Sequence, residues 1–315
     1  MAITADNLLL GVKDRGVVPA SQSQFTDPRF LVMADRVIES KIVPLLISTK
    51  AEFFVTYTTE TVVAGQSIYS VPYRAVNRGL RDIKISDGTS SRNLVQVTLE
   101  DSHRFSSYSE AYGFYFIGDK IRIVPDVPAT LSTTLTLEYW YEIVPSSLVQ
   151  ASGAALVTAV ASTTVTVSAV PSTIVTGTVI DFVQGRSGSS IYSIDKTCTD
   201  VTGTTLTFGA SVIPATAPYS LVVGDYVCVA GTSPVVNYVP QVCQSYLESL
   251  FAQAILFSIG DEVGAKALND QIKGEKEDCL KVLSPRISGE PVIIINRDSL
   301  VRGRLSRNYS RIYGN

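Results

Sequence analysis

Residues 239–284 constrain the fold most, because they encode two amphipathic helices that cannot enclose a core by themselves. In VPQVCQSYLESLFAQAILFSIGDE, the residues Cys243, Tyr246, Leu247, Leu250, Phe251, Ala254, Ile255 and Ile259 recur every three or four positions. That spacing draws one apolar stripe along a helix. Pro240 suits a first turn, where its missing N–H costs nothing, and Gly260 can adopt the left-handed cap at the far end. Asp261 and Glu262 place negative charge where the next helix dipole favours it. The second helix is expected to run through Val263, Leu268, Ile272, Cys279 and Leu283 until Pro285 stops it. The apolar faces of this hairpin need a partner from elsewhere in the chain.

The one convincing candidate lies far upstream, at 27–50. Asp27 offers a capping side chain and Pro28 a rigid first helical position. Leu31, Ala34, Val37, Ile38, Ile42 and Leu45 form its stripe, and Pro44 is expected to kink or break it near Ser40 to Val43. Residues 1–26 show no clear periodicity and read as an N-terminal segment with a loop at SQSQ.

From 51 to 145 the apolar period becomes two. Phe53, Val55 and Tyr57 alternate, and runs at Ile68–Val71, Leu80–Ile85 and Leu94–Leu99 follow, with a turn at Asp87-Gly88. Phe114–Phe116 and Lys120–Val124 flank the hairpin turn Gly118-Asp119, and Leu135, Leu137, Tyr139 and Tyr141 alternate in the last run. One antiparallel sheet with a polar face accounts for these runs. At about residue 146 the composition changes to Val, Thr, Ser, Ala and Gly, and short β-runs such as TTVTVSAV, TVIDFV, TLTF and DYVCVAG alternate with turns up to 237. This stretch reads as an inserted β-sandwich or barrel.

Beyond Pro285, an apolar run at Val292–Ile295 precedes a tail in which Arg297, Arg302, Arg304, Arg307 and Arg311 are interleaved with Tyr309 and Tyr313. Arginine forks and flat tyrosine rings at this density match the composition of interfaces, so the tail is expected to order on a partner. Nucleic acid ranks second, since no lysine cluster or basic fold supports it.

Charged residues make up only 17% of the chain, against about 25% in a typical soluble domain. Such a subunit tends to bury surface against other subunits. The net charge of −3 argues against gripping nucleic acid with the whole surface. The four cysteines, at 198, 228, 243 and 279, have no metal or redox spacing and read as buried free thiols in a reducing compartment. No run of 18 apolar residues occurs, so no membrane span is expected, and the N-terminus lacks the order of a secretory signal.

Catalytic patterns are absent. His103, the single histidine, lies beside Glu100 and Asp101 in a polar turn, where incidental solvated residues outweigh an acid–base pair. Cys198 and Cys228 read as packed thiols, and Asp181, Asp195, Asp200 and Asp225 lack the dense alternation of a calcium loop. No phosphate loop, nucleophile elbow or zinc-protease pattern appears. No enzyme activity and no cofactor are expected.

The order of landmarks resembles the head-to-tail adaptor (connector, or neck ring) proteins of tailed bacteriophages. The matching landmarks are the Asp27-Pro28 helix, the strand at Arg81-Asp82-Ile83, GFYFIGDKIRIVPD, EYWYEIVPSSLV, TVIDFV, VGDYVCVAG and the closing hairpin from Pro240. Together they span roughly residues 25–285. The resemblance implies a ring, commonly a dodecamer, seated beneath the portal protein in the virion neck and assembled in the host cytoplasm. A C-terminal extension would reach the portal, the next tail or neck protein would bind below, and double-stranded DNA would pass as transient cargo. The inserted β region departs from minimal adaptors.

The expected fold is therefore α+β. Its core, 27–145 with 238–284, joins a helical layer (N-terminal helix plus C-terminal hairpin) to an antiparallel sheet. The β insert occupies 146–237 and a docking tail 285–315. The expected function is a structural adaptor whose portal-binding residues are Arg297, Arg302, Arg304, Arg307, Tyr309, Arg311 and Tyr313. The alternative is a carbohydrate- or receptor-binding virion β-protein, with the insert as its working part. A hydrolase is the third reading.

Overall fold

The first departure from expectation comes ahead of Asp27. The computed structural model describes residues 2–15, 26–105, 113–131, 134–186, 190–210, 212–214 and 220–283. In it, Ala5–Arg15 forms helix α1, with Ala5, Leu8, Leu9 and Val12 buried. Eleven residues make a helix too short to be stable alone, so its stability comes from packing rather than propensity. Gly11 permits that packing, since a Cβ there would lie 2.6 Å from the carboxyl carbon of Glu248.

Helix α2 spans Asp27–Val37, with Pro28 in its first turn. Asp27 does not cap it. Thr26 holds the N-cap position without a side-chain bond, and the Asp27 carboxylate instead accepts from Lys13 Nζ at 2.6 Å. In place of the kink or break expected before Pro44 stands a widened π turn, Ile38–Ile42, that leads directly into α3, Val43–Lys50. The Val43 N–H donates to the Ile38 carbonyl five residues back, and the helix continues without the donor that Pro44 lacks.

The strands that follow are β1 Val55–Thr61, β2 Ile68–Ser70, β3 Ala75–Ser86, β4 Ser91–Asn93 and β5 Val95–Gln96. A short helix, α4 Ser102–Phe105, precedes β6 Gly113–Ile117, β7 Lys120–Val124 and β8 Thr136–Ile143. They build two four-stranded sheets, β1-β8-β3-β4 and β2-β7-β6-β5, not the one antiparallel sheet expected. The run at 94–99 explains the split. Residues 91–93 pair with β3, the buried Leu94 donates to Ile83, and 95–96 then pair with β6 in parallel. One segment thus serves two sheets, and Leu99 is left exposed. In β8, Leu137, Tyr139, Tyr141 and Ile143 point inward and alternate with half-buried neighbours.

Next come β9 Ser147–Leu148, β10 Ala155–Val160, β11 Thr164–Val167, β12 Val179–Val183 and β13 Ile191–Thr202. They are followed by β14 Thr205–Phe208, β15 Tyr226–Val229 and β16 Thr232–Ser233. Strands β10-β11-β14-β13-β12-β15 close into a barrel, which leaves no open sheet edge. Val157, Val165, Ile180, Leu206 and Val227 fill it, around an edge-to-face pair of Phe182 and Phe208 with centroids 5.2 Å apart. The segments that enter and leave the barrel, β9 and β16, pair side by side in parallel.

The chain then forms α5 Gln244–Ile259, α6 Glu262–Ala267 and α7 Asn269–Leu283. Gly260 takes the left-handed cap at φ 85°, and Asp261 caps α6 by accepting from the Gly264 N–H at 2.8 Å. The expected second helix is therefore two helices, parted at Leu268. Val263 leaves the predicted stripe and is 81% exposed. Phe251 of α5 meets Phe30 of α2 edge to face at 6.4 Å. Arg15 at the end of α1 donates to Glu248 (3.1 Å) and Ser249 (2.6 Å) on α5 and to Glu275 (2.8 Å) on α7.

Two of the four cysteines are not free thiols, contrary to expectation. Cys243 and Cys279 form a disulfide across the hairpin, with Cα atoms 5.3 Å apart. The return of the chain through α6 and α7 brings the two together although no motif spacing marks the pair. Gln241–Ile259 is long and apolar enough to cross a membrane by length and composition alone, yet half of it is buried within the fold. The molecule is thus a mixed α+β protein.

Candidate functional site

Arg74 ends a tight turn, closed by the Ala75 N–H donating to the Pro72 carbonyl at 3.0 Å, and that turn feeds β3. Its guanidinium is buried. Nη1 donates to Asp181 Oδ2 of β12 at 2.5 Å, and Nη2 donates to Ser146 Oγ at 2.7 Å. Asp181 also accepts from the Asp195 N–H (3.0 Å) and the Gly231 N–H (2.9 Å). A buried ion pair is tolerable only when its other lone pairs are met in this way. The pair ties the sheet that contains β3 to the barrel.

Beside this joint lies a cleft of about 350 Å³, lined by Glu60, Tyr73, Arg74, Tyr139, Tyr141 and Asp195, among others. Tyr139 donates its hydroxyl to Glu60 (3.2 Å), and Tyr73 donates to Asp195 (2.7 Å). Asp195 sits at φ 55°, in the left-handed region that Asp and Asn tolerate best among residues with a side chain. Tyr141 is fully buried, and its hydroxyl has no hydrogen-bond partner among the described residues. Burial pushes that phenol up to about 12, and the charges of Arg74, Asp195 and Asp181 act on it. A second cleft of about 380 Å³ shares Thr58, Thr59 and Ile194 with the first. In its wall Tyr57 stacks on Trp140 at 4.9 Å, with Lys84 Nζ 5.0 Å from the indole.

The acidic residues weighed for calcium do not converge. Asp181 is taken by Arg74, while Asp225 accepts from the Gly185 and Val222 N–H groups and so braces barrel loops. Asp200 accepts from Thr202. Among the described residues no group of three His, Cys, Asp or Glu side chains is placed to hold a metal ion. Cys198 and Cys228 are buried free thiols, and burial raises both above the usual thiol range, Cys228 strongly. That suppresses the thiolate a nucleophile needs. His103 lies exposed on α4.

The predicted portal-binding residues Arg297, Arg302, Arg304, Arg307, Tyr309, Arg311 and Tyr313 lie outside the described residues, as does the run at Val292–Ile295. A different candidate for assembly stands at the corner between α5 and α6. There Phe257, Ile259 and Val263 are 51%, 49% and 81% exposed. Sequence reasoning placed Ile259 and Val263 on the inner stripe and missed Arg74 altogether, because its partner lies 107 residues away. The alternation at Tyr139 and Tyr141 was the one available signal for the cleft. No protein-family model matches the chain, and no curated protein matches it.

Proposed function

We propose that the chain is a structural subunit of a head-to-tail adaptor ring, seated beneath a phage portal and joining capsid to tail. The observation that carries this reading is the exposure of three apolar side chains, Phe257, Ile259 and Val263, where α5 passes into α6, in a chain with only 17% charged residues. Apolar side chains left in water within so short a stretch are better covered by a neighbouring subunit, and a ring offers every copy the same cover. In this reading α1, α2 and α5 form a helical layer from the two ends of the chain, which makes the ring wall. The barrel is an insert whose entry and exit strands, β9 and β16, leave the layer together. Net charge of −3 per copy, repeated around a channel, lets DNA pass without gripping it. The arginine and tyrosine tail at 297–315 docks on the portal, and multiplicity adds avidity.

The carbohydrate-binding alternative gains little from the barrel. Its Phe182 and Phe208 lie inside the core, and Tyr192 and Tyr226 are half-buried.

The test is mass measurement of the purified chain with and without portal protein. Rings, or assembly onto portal, are expected. Deleting residues 297–315 is expected to abolish portal binding while the subunit stays folded. A compact monomer that ignores portal, or a truncated chain that binds it unchanged, contradicts the ring or the docking tail respectively.

A further inference from the structure

We propose that the second cleft, between β1 and the start of β13, binds a pyranose unit of a glycan. The inference is independent of the adaptor reading, because it rests on what the cleft itself presents. β1 is an outer strand of its sheet and pairs with β8 alone. On it, Tyr57 stands opposite Trp140 and stacks on the indole with the ring planes 24° apart. Lys84 approaches the same indole from β3, on the other flank of β8. The row therefore ends on Tyr57, which is 54% exposed although one of its faces is covered. Tyr57 lines the cleft, so an aromatic surface stands open where a ligand would enter. The negative face of such a ring attracts the polarised C–H groups of a sugar ring, and the contact takes apolar area of both out of water.

The polar part of the lining is the second, independent sign. Thr56, Thr58 and Thr59 of β1 and Ser193 of β13 line the cleft, and none of their hydroxyls has a partner among the described residues. Each hydroxyl donates once and accepts twice, which is also the inventory of a sugar hydroxyl. Lys196 is the one charged residue in the lining, and it makes no ion pair among the described residues. Its ammonium suits a sugar that carries a carboxylate, as in a uronate. An organic cation would be repelled, and a purely apolar ligand would strip water from four hydroxyls and return no bond. Single-stranded nucleic acid also stacks on open aromatic faces, but it needs a positive groove along its backbone, which one lysine does not make. A volume of about 380 Å³ lies within the range of small-ligand pockets.

Retention of the full chain on a panel of immobilised neutral and uronate-bearing glycans, with an oligothymidylate as control, is the first measurement. The best glycan is then titrated in solution while the emission of Trp140, the chain's single tryptophan, reports whether this cleft fills. Saturable binding that changes that emission is expected, with uronate glycans ahead of neutral ones. Tyr57→Ala should weaken it at least about tenfold, whereas Tyr57→Phe, which keeps the ring, should stay within about twofold of wild type. Thr59→Val/Ser193→Ala removes two hydroxyls that the free protein does not use, and it should weaken binding several-fold with an unchanged thermal midpoint. Lys196→Met should weaken uronate binding several-fold and leave neutral glycans unaffected. A neutral glycan in first place supports the site equally, provided that the two Tyr57 variants separate as stated. The proposal is overturned if no glycan is retained, if the emission of Trp140 does not respond, if Tyr57→Ala binds as wild type does, or if the oligothymidylate is the ligand that saturates.

Discussion

Arg74 and Asp181, 107 residues apart in the chain, meet 2.5 Å apart in the interior with side chains 5% and 0% exposed. The contact joins the turn before β3 to the wall of the barrel, so it fixes how the barrel meets the sheet. Replacing Arg74 by Met keeps the volume and strands the carboxylate. We expect a loss of about 3–5 kcal/mol in urea unfolding, the usual cost of an unpaired buried charge. Adding Asp181→Asn should recover part of it, since an amide oxygen can still accept from the Asp195 or Gly231 N–H. The double variant should be more stable than the summed single losses predict, by about 1–3 kcal/mol. Strict additivity would mean that the pair does not act as a unit.

The disulfide between Cys243 and Cys279 closes a loop with a sequence separation of 36. Constraining the unfolded chain over that length corresponds to about 3–4 kcal/mol in the loop-entropy account. Cys243→Ser/Cys279→Ser should therefore lower the thermal midpoint measurably. The prior check is thiol counting. Alkylation of the denatured, unreduced chain should modify only Cys198 and Cys228, and reduction should expose all four. Four reactive thiols before reduction would mean that the bond is absent.

Features set by neighbours in sequence were readable in advance. The inward alternation of Leu137, Tyr139 and Tyr141, the cap at Gly260 and Pro28 in the first turn of α2 all follow from local periodicity and backbone preference, whereas Asp27, expected to cap that helix, is bonded to Lys13 instead. What escaped reading depends on remote groups. Helix α1 is too short for periodicity to stand out, and it is held by Arg15 reaching Glu248 and Glu275. The widened turn at Ile38–Ile42 falls where Pro44 suggested a kink or a break, and its form could not be read because the helix continues through it. Arg74 gave no sign of burial because only Asp181, Ser146 and their surroundings make it tolerable. The cleft is the meeting of β1, β8, the Pro72–Ala75 turn and β13, and no single one of them encodes it.

Asp35 on α2 accepts from the Leu148 N–H of β9 at 2.9 Å, and it links helix to strand. Burial, opposed by that hydrogen bond and reinforced by Glu39, raises its carboxyl from 3.8 to about 6. The folded state thus holds the Asp35 proton to higher pH than the unfolded state. Its contribution to stability is present below about pH 4 and is lost as pH rises through 6. Asp35→Asn keeps an acceptor for Leu148 and removes the ionisation. The stability difference between variant and wild type should be small at pH 4 and should favour the variant at pH 7.5. Denaturant midpoints at the two pH values measure it, and a difference that does not change with pH would reject the assignment.

Val263 is 81% exposed on the short helix α6, close in sequence to Phe257 and Ile259 at the end of α5. Within the subunit these side chains have little packing to lose, so polar replacements should shift stability by no more than about 0.5 kcal/mol. If a neighbouring copy covers the corner, the same replacements bury charge in an apolar contact, where it costs several kcal/mol unless paired. Val263→Glu and Phe257→Glu should therefore lower the mass of the assembled particle, or abolish assembly, with an unchanged thermal midpoint. Ile259→Ser, which is smaller and uncharged, should weaken assembly less. Normal assembly by both glutamate variants would remove the observation on which the ring reading rests.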